Sequence, residues 1–463
     1  MTQEEIPCST LKHELRRRAA QALILDRAIN YQPIESGNRM TEQAISEIKA
    51  GGAKSRVLGI DVARGIALLG IFFVNAQLFA QPFGAIFQPF SPHAEGWLSV
   101  AAYWFTNIFC AGKFYPLFSL LFGAGLAMMY QSAVDQGRSF GWTYFRRLVL
   151  LGLIGILHIV LLWYGDILLV YASIAVLMIW MGRFQARKLL IIGGSVFLFG
   201  LLLMVPVFAL LNASGGNLGE VVEKPMPEGN TSLQQFFRVV PDWNETEVFD
   251  SRLIELERRI MSEGPYIAAI AVRLFNYLFS VVFIVMVLFW VILPCFCVGA
   301  ALMKSGFFHG QHKTWRTRLI WMGLLIGIPL AAFSAWSTTF LNQPWLLIAG
   351  TVGSTIGGPL MALMYLSSIL NWAESDHLPG LAQWFSRLGK MALTGYLLES
   401  LLMCAVMQHW GLARFGNNTW AERFALVIGI YLVILIFANI WMSFFRQGPM
   451  EYVWRRFTYL GRS

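Results

Sequence analysis

The chain has 463 residues, 57% of them hydrophobic and only 13% charged, with a formal net charge of +9. A soluble domain carries about 25% charged residues, so this composition excludes a soluble globular protein and describes a polytopic membrane protein. Its Lys and Arg residues cluster between apolar runs, where they set topology, so the basic balance is not read as a nucleic-acid surface.

The first 55 residues are polar, with no short apolar core followed by a small-residue cleavage site, so no cleaved signal peptide is expected. Within them Leu11–Arg27 reads as a basic amphipathic helix, a leaflet anchor through Arg16, Arg17 and Arg18. The connector Ala28–Gly52 reads as flexible. Apolar runs long enough to cross ~30 Å of hydrocarbon follow at about 57–80, 114–133, 143–163, 166–182, 188–211, 276–303, 315–336, 345–370, 388–409 and 421–445. The expected fold is therefore all-α, a polytopic inner-membrane bundle of about ten transmembrane helices. Basic residues fall at every second boundary, which predicts that both termini are cytoplasmic. Trp97–Cys110 is also apolar, but an eleventh crossing would invert the charge pattern, so it reads as a half-helix dipping in from the outer side and bounded by Gly112-Lys113.

The expected organisation is a cytoplasmic N-terminal segment (1–55), an N-terminal bundle (56–211), an extracytoplasmic insert (212–264) and a C-terminal bundle (265–463). The insert closes on a stretch with helical apolar spacing, Phe249–Met261, and reads either as a lid over an outer cavity or as a linker with an interfacial helix. The cysteines Cys8, Cys110, Cys295, Cys297 and Cys404 are scattered, and no histidine group has metal-ligand spacing, so neither a disulfide framework nor a metal site is expected. Gly353 and Gly357 form a small-residue face suited to helix packing.

Polar residues inside the runs carry the candidate chemistry, because an ionisable group at membrane depth costs several kcal/mol unless it faces protein or water. Asp61, Arg64 and Asn75 share one face of the first span; Asp61 and Arg64 read either as a self-neutralising pair or as part of a polar path. Lys113 opens the second span, as a site residue or a lysine snorkelling to headgroups. On the third, Arg147 and His158 lie ~20° apart around the helix and ~17 Å apart along it. The short turn Trp163-Tyr164-Gly165 returns Asp166 toward His158, either as an N-cap or as the carboxylate that orients a general base. Tyr396 and Glu399 sit in the ninth span, where a lone glutamate is protonated, paired or open to water. His93, His309, His312, His377 and His409 read as loop or span-end histidines.

Several of these residues fall in segments that together resemble the bacterial YeiB family, whose domain of unknown function is DUF418: Asp61-Val62-Ala63-Arg64-Gly65 with Asn75, Gly112–Gly123, Leu157-His158 with Trp163–Asp166, Gly389–Leu397 and Phe445–Arg455. The likeness runs from about residue 56 to 460. It departs at Gly395 and Glu399, where YeiB-like chains more often carry asparagine and glutamine. The opening Asp61-x-x-Arg64-Gly65 followed by Asn75 also resembles the start of the transmembrane acyltransferases, among them enzymes that acetylate the terminal glucosamine of heparan sulfate, over about residues 56–180. That second resemblance implies an acyl-CoA donor approaching from the cytosolic side near Arg64 and Arg147, with acceptance nearer the outer face. It leaves two histidines in view. His93, in the loop before the second span, bears a loose likeness to those enzymes' catalytic histidine, whereas the spans themselves favour His158.

The expected function is transfer of an acyl group, acetyl in the leading case, from acyl-CoA to a small-molecule, lipid or glycan acceptor. His158 would be the base, Asp166 its orienter, and Arg64 and Arg147 the phosphate ligands. The rival is a proton-coupled transporter or flippase using the same polar stripe with Glu399 and His158 as proton carriers; a scaffold without turnover is the third possibility. Membrane lipids are expected partners, nucleic acid is not, and a homo-oligomer remains open.

Overall fold

Apolar runs in hydrocarbon must satisfy every backbone group internally, and among the described residues the chain does so with helices alone. The computed structural model describes residues 35–87, 95–213, 225–239, 251–340, 344–375 and 377–458. The chain divides into two compact units, Met1–Lys54 and Ser55–Ser463, and everything below concerns the second. The proposed anchor Leu11–Arg27 and the loop histidine His93 lie outside the described residues, while helix α1 (Glu35–Ala80) already begins inside the stretch read as a flexible connector.

In chain order come α2 (Trp97–Phe105), α3 (Phe114–Asp135), α4 (Gly141–Leu161), α5 (Leu168–Ala175), α6 (Met178–Met181) and α7 (Ala186–Ala213). The insert contributes α8 (Ser232–Val239) and α9 (Ser251–Glu263). Then follow α10 (Tyr266–Phe283), α11 (Phe289–Lys304), α12 (Lys313–Met322), α13 (Ile328–Phe340), α14 (Pro344–Ala373), α15 (Pro379–Lys390), α16 (Ala392–Met407), α17 (Trp420–Phe444) and the amphipathic α18 (Pro449–Thr458). Eight helical rods among the described residues are long and apolar enough to cross a membrane, and the pair α15 and α16, bent by 82° at Met391, makes a ninth. The chain is thus an all-α, multi-pass membrane protein.

Two predicted spans differ in form. The segment expected at 166–182 is broken by i to i+3 turns at Val176 and Ile179 into α5 and the four-residue α6, about 21 Å of helix at 1.5 Å per residue. It is too short to cross alone and is instead half covered by its neighbours. The predicted half-helix Trp97–Cys110 does not turn back: α2 and a wide turn at Thr106–Cys110 run on into α3 as one rod, Trp97–Asp135. The consequence falls on Lys113. It was expected at the outer end of its span, yet Phe114 beside it packs onto Gly70, near the middle of the Leu58–Ala80 span.

Small residues set the closest helix approaches. A Cβ at Gly123 would strike the Phe296 carbonyl oxygen and one at Gly299 that of Leu120, so α3 and α11 touch backbone to backbone. Gly65 and Gly389 play the same part between α1 and α15, against Phe385 and Asp61. Gly357 lies against Gly327 and Leu330, the packing role expected of that face. Cys110, Cys295, Cys297 and Cys404 are free and buried in these contacts.

Candidate functional site

Basic residues from several helices line a cavity of about 530 Å³, within the range of small-molecule sites. Its mouth carries Arg64, Arg138, Arg147, Lys390 and Arg455. Ile71, Ile167, Tyr171 and Tyr396 line it further along the helices. Both arginines predicted to hold a donor's phosphates therefore line one space. They are not equivalent. Arg64 donates to Asp61 Oδ1 at 3.0 Å, one turn away on the same helix, so the local pair forms and offsets its charge. Arg147 lies with its guanidinium carbon 3.8 Å from the centre of the Trp454 ring, a cation–π contact with the C-terminal helix.

The C-terminal helix α18 completes the mouth. Trp454 Nε1 donates to the Arg147 carbonyl at 3.0 Å, tying α18 to α4. Glu451 on the same helix caps α16 from outside: its Oε1 accepts from the Leu393 and Thr394 amides at 2.7 and 3.2 Å, and its Oε2 from Thr394 Oγ1 at 2.6 Å. A carboxylate at a helix N-terminus satisfies otherwise unpaired N–H groups and the helix dipole. Burial pushes the Glu451 carboxyl above its ordinary value, and these hydrogen bonds pull it back. The same cap holds the 82° bend, so α16 starts at the cavity wall and runs inward.

Next to Tyr396 lies the second half of the site. His158 Nδ1 stands 3.0 Å from Asp166 Oδ2, both side chains fully buried; the approach is close but angled, short of a well-aligned hydrogen bond. Asp166 Oδ1 accepts from the Leu169 amide at 2.7 Å, so the residue is also the N-terminal cap of α5. The two alternatives for Asp166 are thus one arrangement: the cap fixes the carboxylate that faces the ring. His158 Nε2 lies 2.8 Å from Ser400 Oγ on α16, a buried pair. The Tyr396 ring, one turn before Ser400, is 5.2 Å from the imidazole and lines the cavity, which His158 does not. Beyond His158, the final carbonyls of α4 are held by Arg273, which reaches Val160 and Leu161 at 2.9 and 3.1 Å, by the Tyr266 hydroxyl, and by Gln408, which reaches Leu162 at 3.1 Å. Arg273 also donates to Gln408 Oε1 at 2.5 Å. These contacts fix where His158 sits.

The other sequence-derived candidates do not join it. Lys113 is buried with its Nζ on the Asn107 carbonyl at 2.7 Å, so it ties the wide turn and does not snorkel. Asn75 is half-buried and lines no part of the cavity. Glu399 is buried, its Oε1 without a hydrogen-bond partner, on the same helix as Ser400. Conversely, Ser400, Glu451, Lys390, Arg138 and Arg455 were not singled out by the sequence reading. Glu451 and Lys390 had a signal, since both stand in the segments that carry the family likeness. Ser400 had none, because a serine in an apolar helix ordinarily bonds its own i−4 carbonyl. Among the described residues no group of three His, Cys, Asp or Glu side chains could hold a metal ion.

Comparison with known proteins finds relatives over most of the chain's length. Residues 302–461 match the family described as a protein of unknown function, DUF418. The uncharacterised protein YxaH of Bacillus subtilis is 28% identical over 423 residues, 90% of this chain and 97% of its own length. The uncharacterised protein YeiB of Escherichia coli is 29% identical over 414 residues, 87% of this chain and 96% of its own. No solved structure matches the chain.

Proposed function

We propose, on the premise that the chain belongs to the DUF418 family of YeiB-like membrane proteins, that it is an inner-membrane acyltransferase with both termini cytoplasmic. It takes an acyl group, acetyl in the simplest case, from an acyl-CoA on the basic side of the membrane to a hydroxyl or amine acceptor. The observation that carries the reading is the cavity itself: a cationic mouth, a largely apolar shaft, and a His158–Asp166 pair next to its lining residue Tyr396. Arg147 and His158 are ~17 Å apart along α4, so a phosphorylated donor anchored at the mouth directs its thioester arm toward the imidazole. Charge-assisted hydrogen bonds from Arg147, Lys390, Arg138 and Arg455 would hold the phosphates. Tyr144 and Tyr396, buried lining residues whose hydroxyls make no regular hydrogen bond, are available to the polar amides of the arm. His158, with Asp166 fixing its tautomer, removes the proton of the attacking nucleophile.

Thermal unfolding of the detergent-purified protein tests the reading. Acetyl-CoA should raise the melting temperature through ligand linkage, desulfo or dephospho analogues should do so less, and absence of any shift at millimolar ligand would overturn it. A second reading, a proton-coupled transporter, is favoured by one observation: the buried, unpartnered Glu399 carboxyl on the helix that lines the site. Proton-gradient-dependent uptake into vesicles, lost in Glu399→Gln and indifferent to acyl-CoA, would replace the enzyme by the transporter.

A further inference from the structure

We infer that Ser400 is a nucleophile that carries the acyl group as a covalent serine ester between donor and acceptor; this rests on the acyl-CoA reading above. Three buried side chains converge: Ser400 Oγ 2.8 Å from His158 Nε2, and His158 Nδ1 3.0 Å from Asp166 Oδ2 at an angled approach. A serine present only to fill a helix needs one acceptor, and Ser400 has one in its own i−4 carbonyl, Tyr396 O at 3.2 Å. The imidazole is a second and shorter partner. A purely architectural serine–histidine bond also gains nothing from a buried carboxylate on the far side of the ring, which adds desolvation cost at membrane depth. A nucleophile does gain from it, because Nδ1–H toward Asp166 leaves Nε2 as the acceptor for the Ser400 proton.

The chemistry closes without a further reagent. Ser400 Oγ attacks the thioester carbonyl carbon while His158 Nε2 takes its proton; the C–S bond breaks and the imidazolium returns the proton to the departing thiolate, leaving acyl-Ser400 and free thiol. In the second half an acceptor hydroxyl or amine attacks the ester carbonyl, His158 takes that proton, and the C–O bond to Ser400 breaks as the proton goes back to Oγ. Access needs one movement. Tyr396 lines the cavity, lies one turn before Ser400 and stands 5.2 Å from the imidazole, and the inference requires its ring to move aside for the donor's arm. Trp163, stacked on Phe79 at 4.0 Å near the far end of the α1 span, meets the His158 ring edge-on at 6.2 Å. A serine ester there is reached by the donor from the cavity and by the acceptor from the Trp163 side.

The experiment has two independent arms on the purified full chain. In the first, radiolabelled acetyl-CoA is added without acceptor, and turnover is measured separately with hydroxylamine as surrogate acceptor; in the second, a fluorophosphonate probe reports an activated serine with no need of acyl-CoA. The inference expects acetyl label and probe on the peptide containing Ser400, both lost in Ser400→Ala and His158→Gln. Turnover of Ser400→Ala should fall by at least about 10³-fold, and Ser400→Cys should regain acetyl label as a hydroxylamine-labile thioester. Probe on Ser400 with no acetyl label sustains the nucleophile and removes the acyl-CoA reading. Full turnover in Ser400→Ala, or label at another residue, overturns the inference and leaves that reading standing. Folded wild-type protein that takes neither label nor probe overturns the inference outright.

Discussion

The polar residues of α1 and of α4 look alike in sequence, each a charged group near one end of a span and a polar group deeper on the same face, yet the bundle uses them differently. On α1 the two charges are one turn apart and find each other, Arg64 on Asp61, while Asn75 is left outside the cavity. α4 itself carries no acidic residue. Arg147 is completed by Trp454 from the C-terminal helix, and His158 by Asp166 from the next turn and Ser400 from α16. A stripe that can neutralise itself does so locally; a stripe that cannot collects partners from other elements, and that convergence makes a site.

The sharpest way to break this contrast is at His158. His158→Gln keeps a hydrogen-bonding side chain opposite Ser400 but cannot accept and return a proton, so acyl transfer should fall by about 10²–10⁴-fold while folding and membrane level stay near wild type. Full activity in radioassay would make the buried cluster architecture only. The two arginines come next. Arg147→Ala should weaken acetyl-CoA binding by about ten- to a hundredfold, the worth of a charge-assisted bond, whereas Arg64→Ala should cost no more than a few-fold because Asp61 already holds that charge. Asp61→Asn, by releasing Arg64, should tighten binding; equal losses at the two arginines in a calorimetric titration would erase the distinction drawn here.

Smaller effects probe the parts that hold the site in place. Glu451→Ala removes the external cap of α16 and should destabilise the protein by about 1–2 kcal/mol, read as a lower melting temperature with lost acetyl-CoA protection; unchanged values for both would mean the bend at Met391 stands without it. The smallest effect lies at the insert. Glu257 on α9 is buried, accepts from the Phe83 amide at 3.0 Å and from Asn276 Nδ2 at 2.8 Å, and burial pushes its carboxyl up from 4.5 to about 7. The folded state holds a proton that the unfolded chain releases, so this contribution to stability is complete below the unfolded value and is lost as pH rises through about 7. Hydrogen exchange of Ser251–Glu263, corrected for intrinsic rate, should speed up as pH rises from 4.5 to about 7 and level off beyond it, and Glu257→Gln should flatten the change; identical pH profiles in both proteins would refute the linkage.

Much of this was legible in sequence because the membrane restricts what an apolar run can do. Hydropathy alone gives an all-α bundle, and the cost of a polar group at depth picks out Arg64, Arg147, His158, Asp166 and Glu399 from an apolar background. Helical periodicity places Arg147 and His158 on one face and puts Asp61 and Arg64 within reach of each other, leaving the pair as one of two alternatives, since those are relations within a single rigid rod. Reading failed where direction across a break mattered. Gly112-Lys113 read as the end of a dipping half-helix, but the chain continues through Gly112, at a positive φ of 79°, and carries Lys113 to mid-span.

What the sequence by itself determined, then, is the set of rods and the polar residues that lipid cannot tolerate unpaired. Which of those residues meet was decided only by the tertiary structure. Ser400 is 242 positions from His158, and Trp454 is 307 positions from Arg147; nothing in local spacing connects them. They converge because backbone contacts at Gly65, Gly123, Gly299 and Gly389 fix how closely the rods approach, and because the Glu451 cap turns α16 by 82° into the cavity wall. Helix period is a property of a few consecutive residues, whereas the register between helices is set by the packing of the whole bundle.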